Sequence, residues 1–165
     1  MVSTLYQTPP PHGELKEHEF NEFDLVSCEK NMKKGGGTRR EFAENLIKSG
    51  EESWNKWCMA PCPGNTNWTI IEFQKTIFFS DLGFKSANDE PNRDPTSVEV
   101  YILSPQHEWI FCDAFLLSFN PEQRFETVMT KMNQVYRTRG LLFFFRNSRK
   151  CPDMQLAQIR VFCRE

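Results

Sequence analysis

The sequence predicts an all-β sandwich with one short helix and an extended N-terminal arm. Three observations carry that prediction. From Asn67 onward the chain is a series of short apolar-rich runs in which residues alternate, the period of a strand. Clusters of Pro, Gly, Asn and Asp separate those runs. Only one stretch, Thr38 to Gly50, combines a helical start, face and stop. With 165 residues, 39% apolar and 13% aromatic, the chain can bury a core large enough for one domain.

Taken in order, residues 1–22 are Pro-rich and then acidic, without periodicity. They read as an arm that is ordered only where it docks, with the domain proper over 23–165. Phe23–Cys28 fits a short edge strand. The run Lys33-Lys34-Gly35-Gly36-Gly37 is a basic loop, and it lacks the lysine and hydroxyl that follow the glycines of a nucleotide-binding loop. Thr38 and Glu41 have capping-box spacing, Phe42, Ala43, Leu46 and Ile47 share one helical face, and Gly50 is a natural stop. Glu51–Gly64, with Trp54, Trp57, Pro61, Pro63, Cys58 and Cys62, reads as an irregular loop.

Strands are then predicted at Trp68–Phe73 and Thr76–Phe84. In the first, Trp68, Ile70 and Glu72 lie on one face and Thr69, Ile71 and Phe73 on the other. A polar turn follows over Ser86–Thr96, then strands at Val98–Leu103 and Trp109–Leu117. Asn120–Tyr136 fits two descriptions. Asn120-Pro121 starts a helix well and Phe125, Val128, Met129 and Met132 share a helical face, yet Phe125, Thr127 and Met129 also alternate as in a strand. The sandwich context favours the strand. Leu141–Arg146 and Gln155–Phe162 complete the set.

A net charge of -2 gives no global field for nucleic acid, and the clusters Arg137–Arg139 and Arg146–Lys150 are short enough to be a solvated face. The longest apolar run, Leu141–Phe145, is of strand length, so no membrane span is expected. The N-terminus has neither a basic start nor an apolar core, which places the expected address in the cytoplasm or another intracellular compartment. The six cysteines are then expected as thiols. Cys58 and Cys62 form C-x3-C, but His12, His18 and His107 show no paired spacing, so neither zinc nor a cofactor is expected.

No hydrolase, zinc-protease or dinucleotide motif is present, and an enzyme is not expected. The acids Asp89, Glu90 and Asp94 are interrupted by Pro91 and Arg93 and lack the glycine of a calcium loop. Asn88, Asp89, Arg93, Asp94 and Pro95 read better as a structural turn whose side chains bond nearby backbone and neutralise one another. His107 falls in a turn between strands. Asn67-Trp68-Thr69 matches a glycosylation signal and reads as a chance match. The residues expected to meet a ligand or partner are Trp54, Trp57, Arg93 and His107: exposed Trp stacks on sugars or anchors peptides, and the loop cation and imidazole supply donors.

The run Ser86-Ala-Asn-Asp-Glu-Pro-Asn-Arg-Asp-Pro-Thr-Ser97, followed by a strand, resembles the S-A-N-D-x-P-x-R-D-P loop of galactose-binding-like (discoidin, or coagulation factor V/VIII type C) domains. Met154-Gln-Leu-Ala-Gln-Ile-Arg-Val-Phe162 resembles their final strand, Asn67-Trp68 through Phe73 their W-I-x-x-x-F, and Glu44-Asn45-Leu46-Ile47 with Trp57 their opening motif. The resemblance covers about residues 42–163. It implies a jelly-roll β-sandwich that binds sugars, lipids, nucleic-acid structures or proteins through loops at one end. It also implies a structural calcium near the opening motif and last strand. Here Lys48 stands where an Asp is expected and Gln158 where a Glu is, so that site is expected to be lost. Intracellular domains of this fold serve as interaction modules. The function expected first is therefore a non-catalytic protein-interaction or scaffold component of a larger assembly, contacting partners through residues 1–22 and 51–64. The alternative is a carbohydrate-binding module using loops at one end of the sandwich.

Overall fold

The computed structural model describes residues 13–29, 43–48, 57–59, 65–87, 90–149 and 154–164. Trp54, Asn88, Asp89 and the capping pair Thr38 and Glu41 lie outside the described residues. The described residues form nine strands: β1 (Leu15–Glu17), β2 (Leu25–Cys28), β3 (Trp57–Met59), β4 (Thr66–Lys85), β5 (Ser97–Leu103), β6 (Trp109–Leu116), β7 (Thr127–Arg146), β8 (Met154–Leu156) and β9 (Gln158–Arg164). All pairings are antiparallel. Of the predicted helix, the described part forms a 3-10 helix over Ala43–Ile47, with Ala43 and Leu46 buried.

Two long strands make the sandwich. β4 and β7 pair along almost their whole length, with register shifts between Glu72 and Ile77 and between Phe79 and Asp81. Above the bend, Thr66–Glu72 and Leu141–Arg146 belong to a front layer ordered β2-β4-β7-β5-β6. Below it, Phe79–Lys85 and the start of β7 belong to a back layer that adds β9 and β1. The expected strands Trp68–Phe73 and Thr76–Phe84 are thus one bent strand, and the ambiguous stretch ahead of Leu141 is, from Thr127, the first half of β7. Burial of one face in each layer overrides the helical reading there.

The layers meet through aromatic rings. Phe84 of the back layer packs edge-on against Phe143 and Phe145 of the front layer at 5.7 and 5.9 Å, and Phe79 stacks on Tyr136 at 5.8 Å. Val98, Val100 and Ile102 of β5 and Ile159 and Val161 of β9 fill the space between. β3 pairs with β8 in a two-stranded sheet, so 57–59, the described part of the expected irregular loop over 51–64, is a strand.

The N-terminal segment is tied to this chain from residue 13 onward. β1 pairs with β9, Arg160 and Glu17 form an ion pair, and Arg164 donates to the Gly13 carbonyl at 3.0 Å. Phe20 stacks on Phe73 at 6.1 Å. The part of the expected arm over 13–22 is therefore docked on its own domain.

Candidate functional site

Strand β5 runs between two ends of the sandwich that treat their charged residues differently. At its start is the turn over 90–96. Pro91–Arg93 form a single 3-10 turn, and Asp94 is 2% exposed. Arg124 donates to both Asp94 carboxylate oxygens, at 2.6 and 3.0 Å, and Arg149 donates to the Asp94 carbonyl at 3.0 Å. Asn147 donates to the Asn92 carbonyl at 2.8 Å. Burial pushes the Asp94 carboxyl above its ordinary value, against the opposing hydrogen bonds and charge of Arg124. The bidentate partner of Asp94 is Arg124, thirty positions away, while Asn88 and Asp89 of the expected structural turn lie outside the described residues. Sequence adjacency could not reveal a pair made by two loops.

At the other end, the β5–β6 hairpin closes on Ser104-Pro105-Gln106-His107-Glu108. Pro105 sets the first turn position. The buried Ser104 hydroxyl accepts from the Gln106 and Glu108 amides at 3.2 and 3.0 Å, and the His107 amide donates to the Ser104 carbonyl at 2.9 Å. His107 adopts φ 63, which turns its exposed side chain out of the hairpin. Beside it, Thr138 replaces part of the β5–β7 ladder, its hydroxyl accepting from the Leu103 amide at 3.1 Å. The β4 bend over 73–76 forms the third wall. Arg139 donates to the Gln74 carbonyl at 2.8 Å, and the Gln74 amide donates to buried Asp24 at 2.9 Å. Asp24 also accepts from His18 and the Asn21 amide at 3.1 and 3.0 Å. The docked N-terminal segment thus braces the wall.

These elements enclose a cleft of about 370 Å³ lined by Thr76, Ser104, His107, Arg137, Thr138 and Arg139, with Leu103 at its floor. Its size falls within the range of small-ligand sites. Two guanidinium groups, an imidazole and three hydroxyls line it, and among the described residues no carboxylate does. A second groove, of about 430 Å³, lies along β1 and β9, but Glu17 and Arg160 in its wall are spent on each other.

Of the expected ligand residues, Trp54 lies outside the described residues, and of the other three His107 lines the cleft while Trp57 and Arg93 do not. Trp57 is 0% exposed and packs against Phe145 at 6.1 Å, so the expected stacking platform is a core residue: pairing with β8 carries it inward. Arg93 sits at the opposite end of β5, and that strand's seven residues separate it from His107 by roughly 20 Å. Arg137 and Arg139, read from sequence as a solvated face, are in the cleft wall. What would have revealed them is their place beside Gly140, at the bend of β7. Asn67, the nominal glycosylation acceptor, is 0% exposed on the inner face of β4.

At the calcium place implied by the resemblance, two expected carboxylates are replaced. Gln158 offers a neutral amide on β9, and Lys48 an ammonium on the exposed side of the 3-10 turn. Among the described residues no helix is long and apolar enough to cross a membrane.

At the level of sequence, no family model and no curated protein matches the chain. Solved structures do. An F5/8 type C domain from Bacteroides fragilis superposes with a TM-score of 0.73 at 11% identity, over 93% of this chain and 99% of that one. A family 32 carbohydrate-binding module from Clostridium perfringens NanJ, in complex with galactose, gives 0.66 at 9% identity, over 84% and 93%. Another family 32 module from Clostridium perfringens, in complex with GalNAc-β-1,3-galactose, gives 0.67 at 10% identity, over 85% and 95%. The chain is a β-sandwich of the galactose-binding-like, discoidin-type fold, as the Ser86–Ser97 and Met154–Phe162 runs implied.

Proposed function

We propose that this chain is a non-catalytic glycan-binding module whose ligand sits in the cleft between the β5–β6 hairpin and the bends of β4 and β7. The observation that carries this reading is the cleft wall itself. Arg137, Arg139 and His107 present side-chain donors around hydroxyls of Ser104, Thr76 and Thr138 at the scale of one or two sugar rings. Sugar complexes among proteins of the same fold support it. The guanidinium groups of Arg137 and Arg139 in the lining favour sugars bearing acidic substituents, because Arg forks match carboxylate and sulfate oxygens.

A glycan array probed with the full chain and with the His107→Ala/Arg139→Ala double variant tests this. Binding that the variant loses supports the reading. An array without signal above background, or equal binding by the variant, refutes it. The sugar complexes of this fold favour the carbohydrate-binding alternative over the scaffold role expected first from sequence.

A further inference from the structure

We infer that the outer face of the front layer, over β2, β4, β7, β5 and β6, is the interface of a symmetric dimer of this chain. An antiparallel sheet with one buried side normally carries polar residues on the other. Here the outward positions of β7 include Leu142 and Phe144 between Gly140 and Arg146, and those of β4 include Trp68 and Ile70 between Thr66 and Glu72, with the four apolar side chains half-buried. β5 adds Tyr101 and Leu103. The margins are more open: Leu25 on β2 is 58% exposed, Phe111 on β6 is 49% and Leu116 is 82%.

One irregularity serves this face. Phe111 and Leu116 are five positions apart, so plain alternation would send them to opposite sides. A register shift between Val100 and Tyr101 leaves Cys112 unmatched and returns Leu116 to the side of Phe111. The bulge also breaks the open edge of β6 as a template for strand addition, which favours packing through the face over pairing through the edge.

The back layer offers a comparison within the same molecule. Its outward positions mix Asp81, Lys85, Lys131 and Arg160, the last paired with Glu17, with the apolar Met129 and Phe162. A chain that needed only solubility would treat both faces that way.

A second copy fits the front face in area and in charge. Five strands at about 4.8 Å and seven residues at about 3.3 Å give roughly 550 Å² in plan, and side-chain relief brings the accessible area towards the ~800 Å² per partner of a stable interface. The face carries Glu72 at one end, opposite Gly140, and Arg146 at the other, opposite Thr66. A twofold axis in the plane of contact and across the strands lays β7 against β7. It sets Arg146 of one copy over the Gly140–Glu72 level of the other, twice by symmetry.

Sedimentation of the full chain over a concentration series tests the inference. The expected result is a species of about twice 19.4 kDa. Phe144→Glu at the centre of the face makes it monomeric, whereas Met129→Glu, also exposed but on the back layer, leaves it dimeric. Arg146→Glu puts like charges together and weakens the dimer at least about tenfold, and adding Glu72→Arg restores it. These last two positions are surface-exposed, so they decide the matter even if Phe144→Glu fails to fold. A folded monomer at every concentration up to about 0.1 mM would overturn the inference. So would a dimer that the charge exchange neither weakens nor restores.

Discussion

The two ends of strand β5 carry similar inventories of charge and use them in opposite ways. At the Ser86–Thr96 end, Asp94, Arg124 and Arg149 bond to each other or to backbone, and the loops that hold them are locked together. At the hairpin end, Arg137, Arg139 and His107 surround an open cleft whose floor is already satisfied by Ser104 and Thr138. The difference teaches that a dense run of acids and amides need not be a site. Around Asp94 the charged groups bond within the fold, whereas at the hairpin end guanidinium and imidazole groups line a cleft.

The comparison breaks most sharply at Arg124. Arg124→Met leaves the Asp94 carboxylate buried without its bidentate partner and is expected to cost about 3–5 kcal/mol, read as the loss in a denaturant titration. Glycan affinity per folded molecule should be unchanged. If binding falls in proportion to folding energy, the ends are coupled and the contrast fails. A smaller effect is expected at Gly140. An added Cβ there would lie 3.2 Å from the Trp109 ring and 3.3 Å from the Leu103 Cβ. Gly140→Ala should cost about 1–2 kcal/mol and weaken glycan binding as well, because Leu103 floors the cleft. At the hairpin end itself, Arg139→Ala removes one exposed hydrogen bond and should cost under about 1 kcal/mol while lowering glycan affinity tenfold or more. Isothermal titration beside thermal melts separates the two quantities.

The smallest effect is electrostatic. Burial outweighs Arg124 at Asp94, so the folded carboxyl holds its proton to higher pH than the unfolded one, whose value is 3.8. This group's contribution to stability therefore falls as pH rises from 3.8 through the folded value, the reverse of an ordinary surface carboxylate. Carbon-detected titration of Asp94 should show the raised value, and a further rise in Arg124→Met. An Asp94 midpoint below 3.8 would mean that the ion pair, not burial, dominates.

The fold was legible because its signals are local. The alternation of Trp68–Phe73, Val98–Leu103 and Gln155–Phe162 places the right residues inside, and the Ser86–Ser97 and Met154–Phe162 runs pointed to the right sandwich. What misled was continuity and depth. Gln74 and Lys75 look like a break between strands, yet β4 bends there without ending, because β7 bends with it. Trp57 looks like a loop aromatic, yet three residues of β3 suffice to seat it on Phe145. Of the candidate site, His107 was visible as a turn residue between strands. Arg137 and Arg139 were visible only as a basic cluster, since their cleft depends on the β4 bend and on Asp24 and Gln74 holding it, contacts made across 50 positions. No spacing rule reaches that far. The apolar outer face was half visible, in that Trp68 and Ile70 were assigned to a common side, but which side faced solvent had to come from the packing.

The most direct test of the central claim is an amide chemical-shift titration of the full chain with the strongest ligand from the glycan array. The account predicts saturable shifts confined to Ser104–Glu108, Arg137–Gly140 and Gln74–Thr76, and their loss in Arg139→Ala. Shifts that instead cluster on 90–96 and 117–126, or no saturable shift at all, would contradict it.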